Sequence, residues 1–589
     1  MTAPTPTTSP KLPLVPGDFE TLIDGLELAA RGETGFNYYS VRGELTGRLP
    51  YRDLRDQAVS LGRRLAGMGL PVGARIALVA ETTPDFHRFF FACQYAGLVP
   101  VPVPLPMNLG GKEGYLRHVR TMVQAAGASA AVASDDLADM LREATDGLGL
   151  ALVGAPDDFD ALPESGELRP FGKDDPCYIQ YSSGSTSDPK GVMVSQLSAT
   201  SNARAIITDG LAVRAGDRCA SWLPLYHDMG LVGFCISPLL SQLSVDYLST
   251  PDFARRSLIW LTLISENRGT IAFSPTFGYD LCVRRASSGA GAKASFDLSS
   301  WRVAGIGGDM VRADVLNRFA DKFAEHGFRR TAFTPSYGLA ESTLAVSFAP
   351  LEEEFETDTI DLREYESTGR AVPAAPDARE DDTRAFTVCG WPMSGHDLQI
   401  WDDAGNRLPH RQVGRLMMKG PSVTEGYFNN PEATAAARTP DGWFDTGDLA
   451  YTIDSGVVLT GRLKDLIICN GRNIWPQDIE WAVEASVDRL RSGDVAAFSV
   501  DGADGDEAVV TVVQCRLHDA DEREALRQEI AAVVRNSAGV DCEVVLAPHR
   551  SLPMTSSGKL SRAATKARYL AGVDTAVPET APATAQAGG

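Results

Sequence analysis

The feature that most limits the fold is an alternation of helix and strand patterns that begins near residue 51. Residues 51–69, YRDLRDQAVSLGRRLAGMG, place Leu54, Ala58, Leu61, Leu65 and Met68 three or four positions apart, the stripe of an amphipathic helix. ARIALVAE at 74–81 reads as a buried strand and DFHRFFFACQYAG as a second helix, and another strand follows with Val99 and Val101. Strands separated by a helix pair in parallel through a crossover, so this stretch predicts a parallel sheet covered by helices. Similar units recur to about residue 340.

After residue 390 the texture changes. HDLQIWDD, RLMMKG and GVVLTG are short segments set off by Gly, Asp and Asn turns, which predicts a compact β subdomain. From about 463, DIEWAVEAS, VAAFSV, AVVTVVQCRL and a helix over 521–537 predict a small α+β lid. The expected fold class is therefore α/β. A large N-terminal domain over 13–461 would hold two α/β subdomains and a β subdomain, with a small mobile α+β C-terminal domain over 462–570. Residues 1–12 and 571–589 are rich in Pro, Thr, Ala and Gly and read as disordered tails. Residues 351–385 hold 12 acids and 4 bases with few apolar residues, which predicts a solvated insertion outside the core.

Charge and cysteine usage exclude several functions. A net charge of −22 over 589 residues is opposite to what phosphate backbones or anionic membranes attract, so neither nucleic acid nor membrane surface is an expected partner. The nine cysteines are never closer than 16 positions, which leaves no CxxC metal or redox pattern, and they read as small core residues. The N-terminus lacks the basic start and apolar stretch of a signal peptide. The uncharged segment 89–107 carries Pro100, Pro102, Pro104 and Pro106, a density that no membrane-spanning helix takes. The expectation is a reduced, soluble, cytoplasmic protein with no membrane span.

The strongest chemical signal is YIQYSSGSTSDPKGV at 178–192. A short apolar strand runs into small and turn-forming residues, then Lys190 and Gly191, then a second apolar strand. Small residues let backbone N–H groups and hydroxyls wrap a polyphosphate while one lysine neutralises charge. The spacing does not fit a Walker A loop.

This loop resembles the one that opens the nucleotide site of adenylate-forming enzymes. Five further blocks resemble the same superfamily in order: LPLYHDMGL (223–231), GIGGDMV (305–311), YGLAEST (337–343), WFDTGDLA (443–450) with GRLKDL (461–466), and PMTSSGKLSRA (553–563). The resemblance implies ATP-dependent activation of a carboxylate, in which two anions meet and catalysis rests on charge neutralisation and in-line positioning. It implies a nucleotide site built from Ser182, Ser183, Gly184, Ser185, Thr186 and Lys190, from Gly307, Gly308 and Asp309, and from Tyr337 and Gly338. Tyr337 would lie against adenine, while Asp448 and Arg462 would hold the ribose. Glu341 matches the magnesium-binding glutamate, with the Thr186 hydroxyl nearby. Lys559 would bridge carboxylate and phosphate as the catalytic lysine, His227 would line the entrance of the acyl site, and Lys464 falls at the hinge.

Within the superfamily, the extra segment 342–389 and the block NGRNIWPQDIEW at 470–481 resemble fatty acyl-AMP ligases, although Trp475 stands where their pattern has tyrosine. In that group the segment is thought to impede the rotation that completes a CoA site. The resemblance implies a fatty acid substrate and ATP and magnesium as cofactors. No carrier domain is present, so the acceptor would be the phosphopantetheine thiol of a separate acyl carrier protein or synthase carrier domain. Segment 274–286 and the aromatics near Trp222 offer apolar walls for the acyl chain. Arg550, Lys559, Arg562, Lys566 and Arg568, with no acid between 550 and 570, offer either a docking face for an acidic carrier, apart from Lys559 itself, or a basic helix that packs on its own domain. A fatty acyl-CoA synthetase is the alternative reading. A silent acyl-adenylate binder is another, but it has no need of an intact Lys559, Glu341, Asp448 and Arg462.

Overall fold

The computed structural model describes residues 12–106, 111–181, 190–469, 472–501, 507–555 and 560–572. The expected tails lie outside this set apart from residues 12, 571 and 572. Leu463 closes one compact unit and Lys464 opens the second.

At the centre of the first unit six parallel strands lie side by side. Their spatial order is Phe333–Gly338, Val303–Ile306, Ile271–Ser274, Arg218–Ser221, Ser244–Leu248 and Gly35–Tyr39, and antiparallel strands extend both ends to nine. A second sheet is parallel throughout, in the order Val99–Val103, Arg75–Val79, Ala128–Val132 and Leu152–Gly154. The third is antiparallel and runs Asp397–Trp401, Gly414–Lys419, Phe444–Ile453, Gly456–Arg462. Two α/β sheets and a β subdomain are thus present, as the sequence predicts.

Local chemistry explains the elements. Helix Tyr51–Ala66 buries Leu54, Ala58, Leu61 and Leu65, but it stops at Gly67, so Met68 packs from beyond its end. Helix Pro84–Ala96 starts with proline in its first turn and the Thr83 hydroxyl accepting from Phe86 N. It ends at Gly97, whose φ of +69° suits a residue without Cβ. Strand Val99–Val103 forms an edge of its sheet. Val99 N donates to Ala74 O on the paired side, so Pro100 and Pro102 turn their donor-less nitrogens outward.

The acidic insertion is mostly exposed, as its composition predicts, but it is built as a hairpin and not as a loop. Strands Thr357–Asp361 and Thr383–Thr387 form an antiparallel hairpin in which Ile360 and Phe386 are buried, joined by Tyr365 and Ala371. Asp358 pairs with Arg411 at 3.0 and 3.1 Å and accepts from Tyr451 Oη at 2.7 Å, which fastens the hairpin to the β subdomain. Composition hides this because a strand that alternates inward and outward averages to a polar sequence.

The second unit is α+β. Strand Glu507–Cys515 pairs antiparallel with Val495–Asp501 and parallel with Cys542–Pro548. Helix Ala520–Ala538 is capped by Asp519, which accepts from Asp521 N and Glu522 N, and ends at the left-handed Gly539. Among the described residues, no helix is long and apolar enough to cross a membrane. Seven of the nine cysteines are buried, the place expected of small apolar residues.

Candidate active site

In an open α/β sheet, ligands gather beyond the carboxyl ends of the strands. Four adjacent strands of the large sheet deliver predicted residues there. Strand Arg218–Ser221 leads to Trp222 and on to His227, while Ile271–Ser274 leads to Phe277. Val303–Ile306 leads to Gly307, Gly308 and Asp309, and Phe333–Gly338 carries Tyr337 and Gly338 themselves.

The glycines here answer to space. A Cβ on Gly338 would stand 1.9 Å from Leu344 O, and one on Gly307 would stand 2.8 Å from Ser336 Oγ. Gly308 has φ +78°, which suits glycine. Asp309 is exposed and accepts from Met310 N.

The hairpin of Phe444–Ile453 and Gly456–Arg462 sets Asp448 directly across from Arg462, which accounts for their 14-residue spacing. Arg462 Nε lies 3.3 Å from Asp448 Oδ1. Tyr337 Oη donates to Asp448 Oδ2 at 2.7 Å. The Tyr337 phenol is raised well above its ordinary range, first by burial and then by the Asp448 charge, so it stays protonated and donating. The sequence assigns Tyr337 to a base and Asp448 to a sugar, and it gives no sign that the two touch.

Glu341 sits in the turn Ala340–Ser342, and the next residue, Thr343, takes the left-handed φ of +73°. Such strain in a non-glycine residue is a mark of functional turns. Thr343 Oγ1 donates to Ser422 O at 2.8 Å, which helps hold it. Glu341 Oε1 accepts from Tyr427 Oη at 2.8 Å, and Lys190 Nζ lies 4.9 Å from the centre of the same ring. Tyr427 is the residue that sequence reasoning missed, since TEGYFNN reads only as a turn.

His227 is half-buried at the start of the short helix Asp228–Leu231, its ring 4.9 Å from that of Tyr226. Gln180 Nε2 donates to Tyr226 O, tying this segment to strand Pro176–Tyr181. That strand pairs antiparallel with Gly191–Ser195, and the phosphate-loop sequence joins the two. Ser182, Ser183, Gly184, Ser185 and Thr186 lie outside the described residues, as does Lys559. Lys464 belongs to the second unit.

Two expectations are narrowed. Of segment 274–286, Tyr279 and Cys282 are fully buried, with Tyr279 Oη donating to Gly305 O at 3.0 Å, so they build core instead of an acyl wall. Phe277 is half-buried with its ring edge-on to Trp222 at 5.6 Å, and Trp222 stacks on Phe253 at 3.8 Å. In the basic segment, Arg562 is committed inside its own unit. It meets both carboxylate oxygens of Glu480 at 2.8 and 2.6 Å and Asp465 at 3.1 Å. A guanidinium held by two carboxylates is a structural clamp, which removes Arg562 from the docking face.

Among the described residues, no three His, Cys, Asp or Glu side chains cluster as a self-sufficient metal site. Glu341 offers one carboxylate, which suits a hard cation that takes its remaining ligands from phosphate and water.

Comparison with known proteins adds three likenesses and a family match. Residues 33–428 match the family model described as AMP-binding enzyme. A Caulobacter vibrioides (strain NA1000 / CB15N) protein provisionally named an acyl-CoA synthetase is 50% identical over 557 residues, covering 94% of this chain and 96% of its own. The medium-chain-fatty-acid–[acyl-carrier-protein] ligase JamA of Moorena producens is 32% identical, covering 94% of this chain and 96% of its own. A solved structure from work on fatty acyl-adenylate ligases of E. coli and L. pneumophila superposes with a TM-score of 0.89 at 41% identity, covering 96% of this chain and 100% of its own.

Proposed function

The chain belongs to the AMP-binding enzyme family, and from that premise we propose that it activates a fatty acid with ATP and hands the acyl group to an acyl carrier protein. A carboxylate oxygen attacks the α-phosphorus, the bond to the bridging oxygen breaks, and pyrophosphate leaves. The carrier's pantetheine sulfur then attacks the acyl carbonyl and AMP departs.

One observation carries the adenylation step. Tyr337, hydrogen-bonded to Asp448 of the Asp448–Arg462 pair, stands at the carboxyl end of a parallel strand whose neighbour leads to Gly307 and Gly308. There, Asp448 has the acceptor oxygens that two ribose hydroxyls need, and the glycines admit a flat base. Lys190 would neutralise phosphate and Lys559 would bridge carboxylate and phosphate. Glu341 would hold magnesium with the Thr186 hydroxyl, and the ion when bound screens the phosphate charge.

The acceptor is the finer question, and the relatives' names divide on it. The carrier reading draws support from the 342–389 segment, an ordered hairpin fastened through Asp358 to Arg411 and Tyr451. The name of the Caulobacter relative favours the CoA alternative. The test follows labelled dodecanoic acid with ATP and magnesium in three tubes, with no acceptor, with CoA, and with a holo acyl carrier protein. Acyl-AMP that persists with CoA and is consumed by the carrier is the expected outcome. Rapid acyl-CoA formation would replace the carrier reading with a CoA synthetase.

A further inference from the structure

Residues 424–428, TEGYF, belong to none of the sequence blocks, yet they are stitched into the candidate site. Their backbone lies alongside strand Gly191–Ser195. Met193 N donates to Gly426 O at 3.2 Å, Phe428 N donates to Gly191 O at 2.7 Å, and Val192 bridges Tyr427. Thr424 Oγ1 donates to Met193 O at 2.6 Å. At the same end, Thr424 N donates to the backbone carbonyl of Glu341 at 2.7 Å. The segment is therefore registered against both the residue after Lys190 and the turn that carries Glu341.

That register leaves the Tyr427 side chain only 9% exposed, between two charged groups. Its ring faces Lys190 Nζ at 4.9 Å, inside cation–π range. Its hydroxyl donates to Glu341 Oε1 at 2.8 Å. A carboxylate with one oxygen pinned by a phenol can no longer rotate freely, and its second oxygen is aimed. Partners of this kind behind a metal-binding carboxylate are worth about 10–100-fold in metal affinity.

We propose that Tyr427 is a positioning residue that sets the lysine for nucleotide phosphate and the carboxylate for magnesium in one register, through its ring and its hydroxyl respectively. This rests on the nucleotide-binding reading above. The two halves of the role are separable, because phenylalanine keeps the ring and loses the hydroxyl, whereas leucine loses both.

The experiment uses the full chain as wild type, Tyr427→Phe and Tyr427→Leu, with melting temperatures as a check on folding. Manganese binding is read by electron paramagnetic resonance in the presence of a non-hydrolysable ATP analogue. Binding of that analogue in EDTA is read by calorimetry. Tyr427→Phe is expected to weaken manganese binding about tenfold or more while leaving binding in EDTA at the wild-type value. Tyr427→Leu is expected to show the same metal loss and in addition about threefold weaker binding in EDTA. Wild-type manganese affinity in Tyr427→Phe would overturn the proposal, as would wild-type EDTA binding in a folded Tyr427→Leu. If the leucine variant does not fold, the phenylalanine variant decides alone, since it removes a single oxygen. Pyrophosphate release by the wild type separates the two layers. A wild type silent with every fatty acid removes the functional reading, whereas an active wild type with indifferent variants removes only the role of Tyr427.

Discussion

Asp448 has both carboxylate oxygens engaged within the protein, one by Arg462 and the other by Tyr337. Substituting Asp448→Asn leaves the guanidinium and the phenol facing a neutral amide, and hydrogen bonds to charged groups are worth about 1.5–3 kcal/mol. The expected result is an ATP KM raised roughly tenfold or more with a smaller change in kcat; an unchanged KM would remove Asp448 from the nucleotide site. Lys559→Ala should cut pyrophosphate release strongly and leave the melting temperature in place, and near-normal release would end its assigned role. His87 carries a prediction of another kind. Fully buried between Tyr38 and Tyr247, with ring nitrogens 2.9 and 3.3 Å from their hydroxyls, it is held by burial down at about 4 from an ordinary value of 6.5. As pH falls below 6.5 the unfolded chain takes up this proton first, so the stabilisation present above 6.5 is lost towards 4. At pH 4.5 that loss is about 2–3 kcal/mol relative to neutral pH, beyond what a His87→Gln variant shows in urea unfolding. Equal pH slopes for the two proteins would disprove it. At this scale the sequence was legible wherever a residue type stood inside a long block. Asp448 and Arg462 could be read because each stands inside a block, DTGDL and GRLKD, that resembles adenylate-forming enzymes; the hairpin that sets them face to face came only with the fold. Tyr427 could not, because its partners are 86 positions away at Glu341 and farther still at Lys190.

Helices and parallel strands were legible from periodicity, as in Leu54, Ala58, Leu61 and Leu65, since burial repeats with the local geometry. The solvated character of the insertion was legible, but its hairpin was not, because its apolar residues alternate with acids and because Asp358 finds its partners Arg411 and Tyr451 only in the folded chain. The basic helix Arg562–Leu570 could be read either as a docking face or as a helix packed on its own domain, and sequence could not choose, since the carboxylates that claim Arg562 come from Glu480, 82 positions away, and from Asp465. Glu480 is buried, so Arg562→Glu would place like charges together there and should destabilise the second unit by about 2 kcal/mol or more. Lys566→Glu should not. Urea unfolding of the full chain checks both, and a fully stable Arg562→Glu protein would show that the clamp contributes nothing.

Across the whole molecule, a charge of −22 would set how the enzyme meets an acidic carrier of the kind proposed above. Like charges slow encounter, and the repulsion weakens as the Debye length shrinks from about 30 Å at 0.01 M to about 10 Å at 0.1 M salt. With Arg562 held by Glu480 and Asp465, the apparent KM for a holo carrier should fall as salt rises over that range, while the KM for the fatty acid stays level. A carrier KM that climbs with salt would instead reveal a basic docking face. The proline-bearing edge strand Val99–Val103 matters at this scale as well. Strand Pro176–Tyr181, which leads into the phosphate loop, runs beside it and shares its apolar core, yet the two belong to separate sheets. Among the described residues no ladder of backbone hydrogen bonds joins the two. The strand that leads towards residues 182–189 therefore takes its register from Gly191–Ser195 and, through it, from residues 426–428, and owes nothing to the proline-bearing edge beside it.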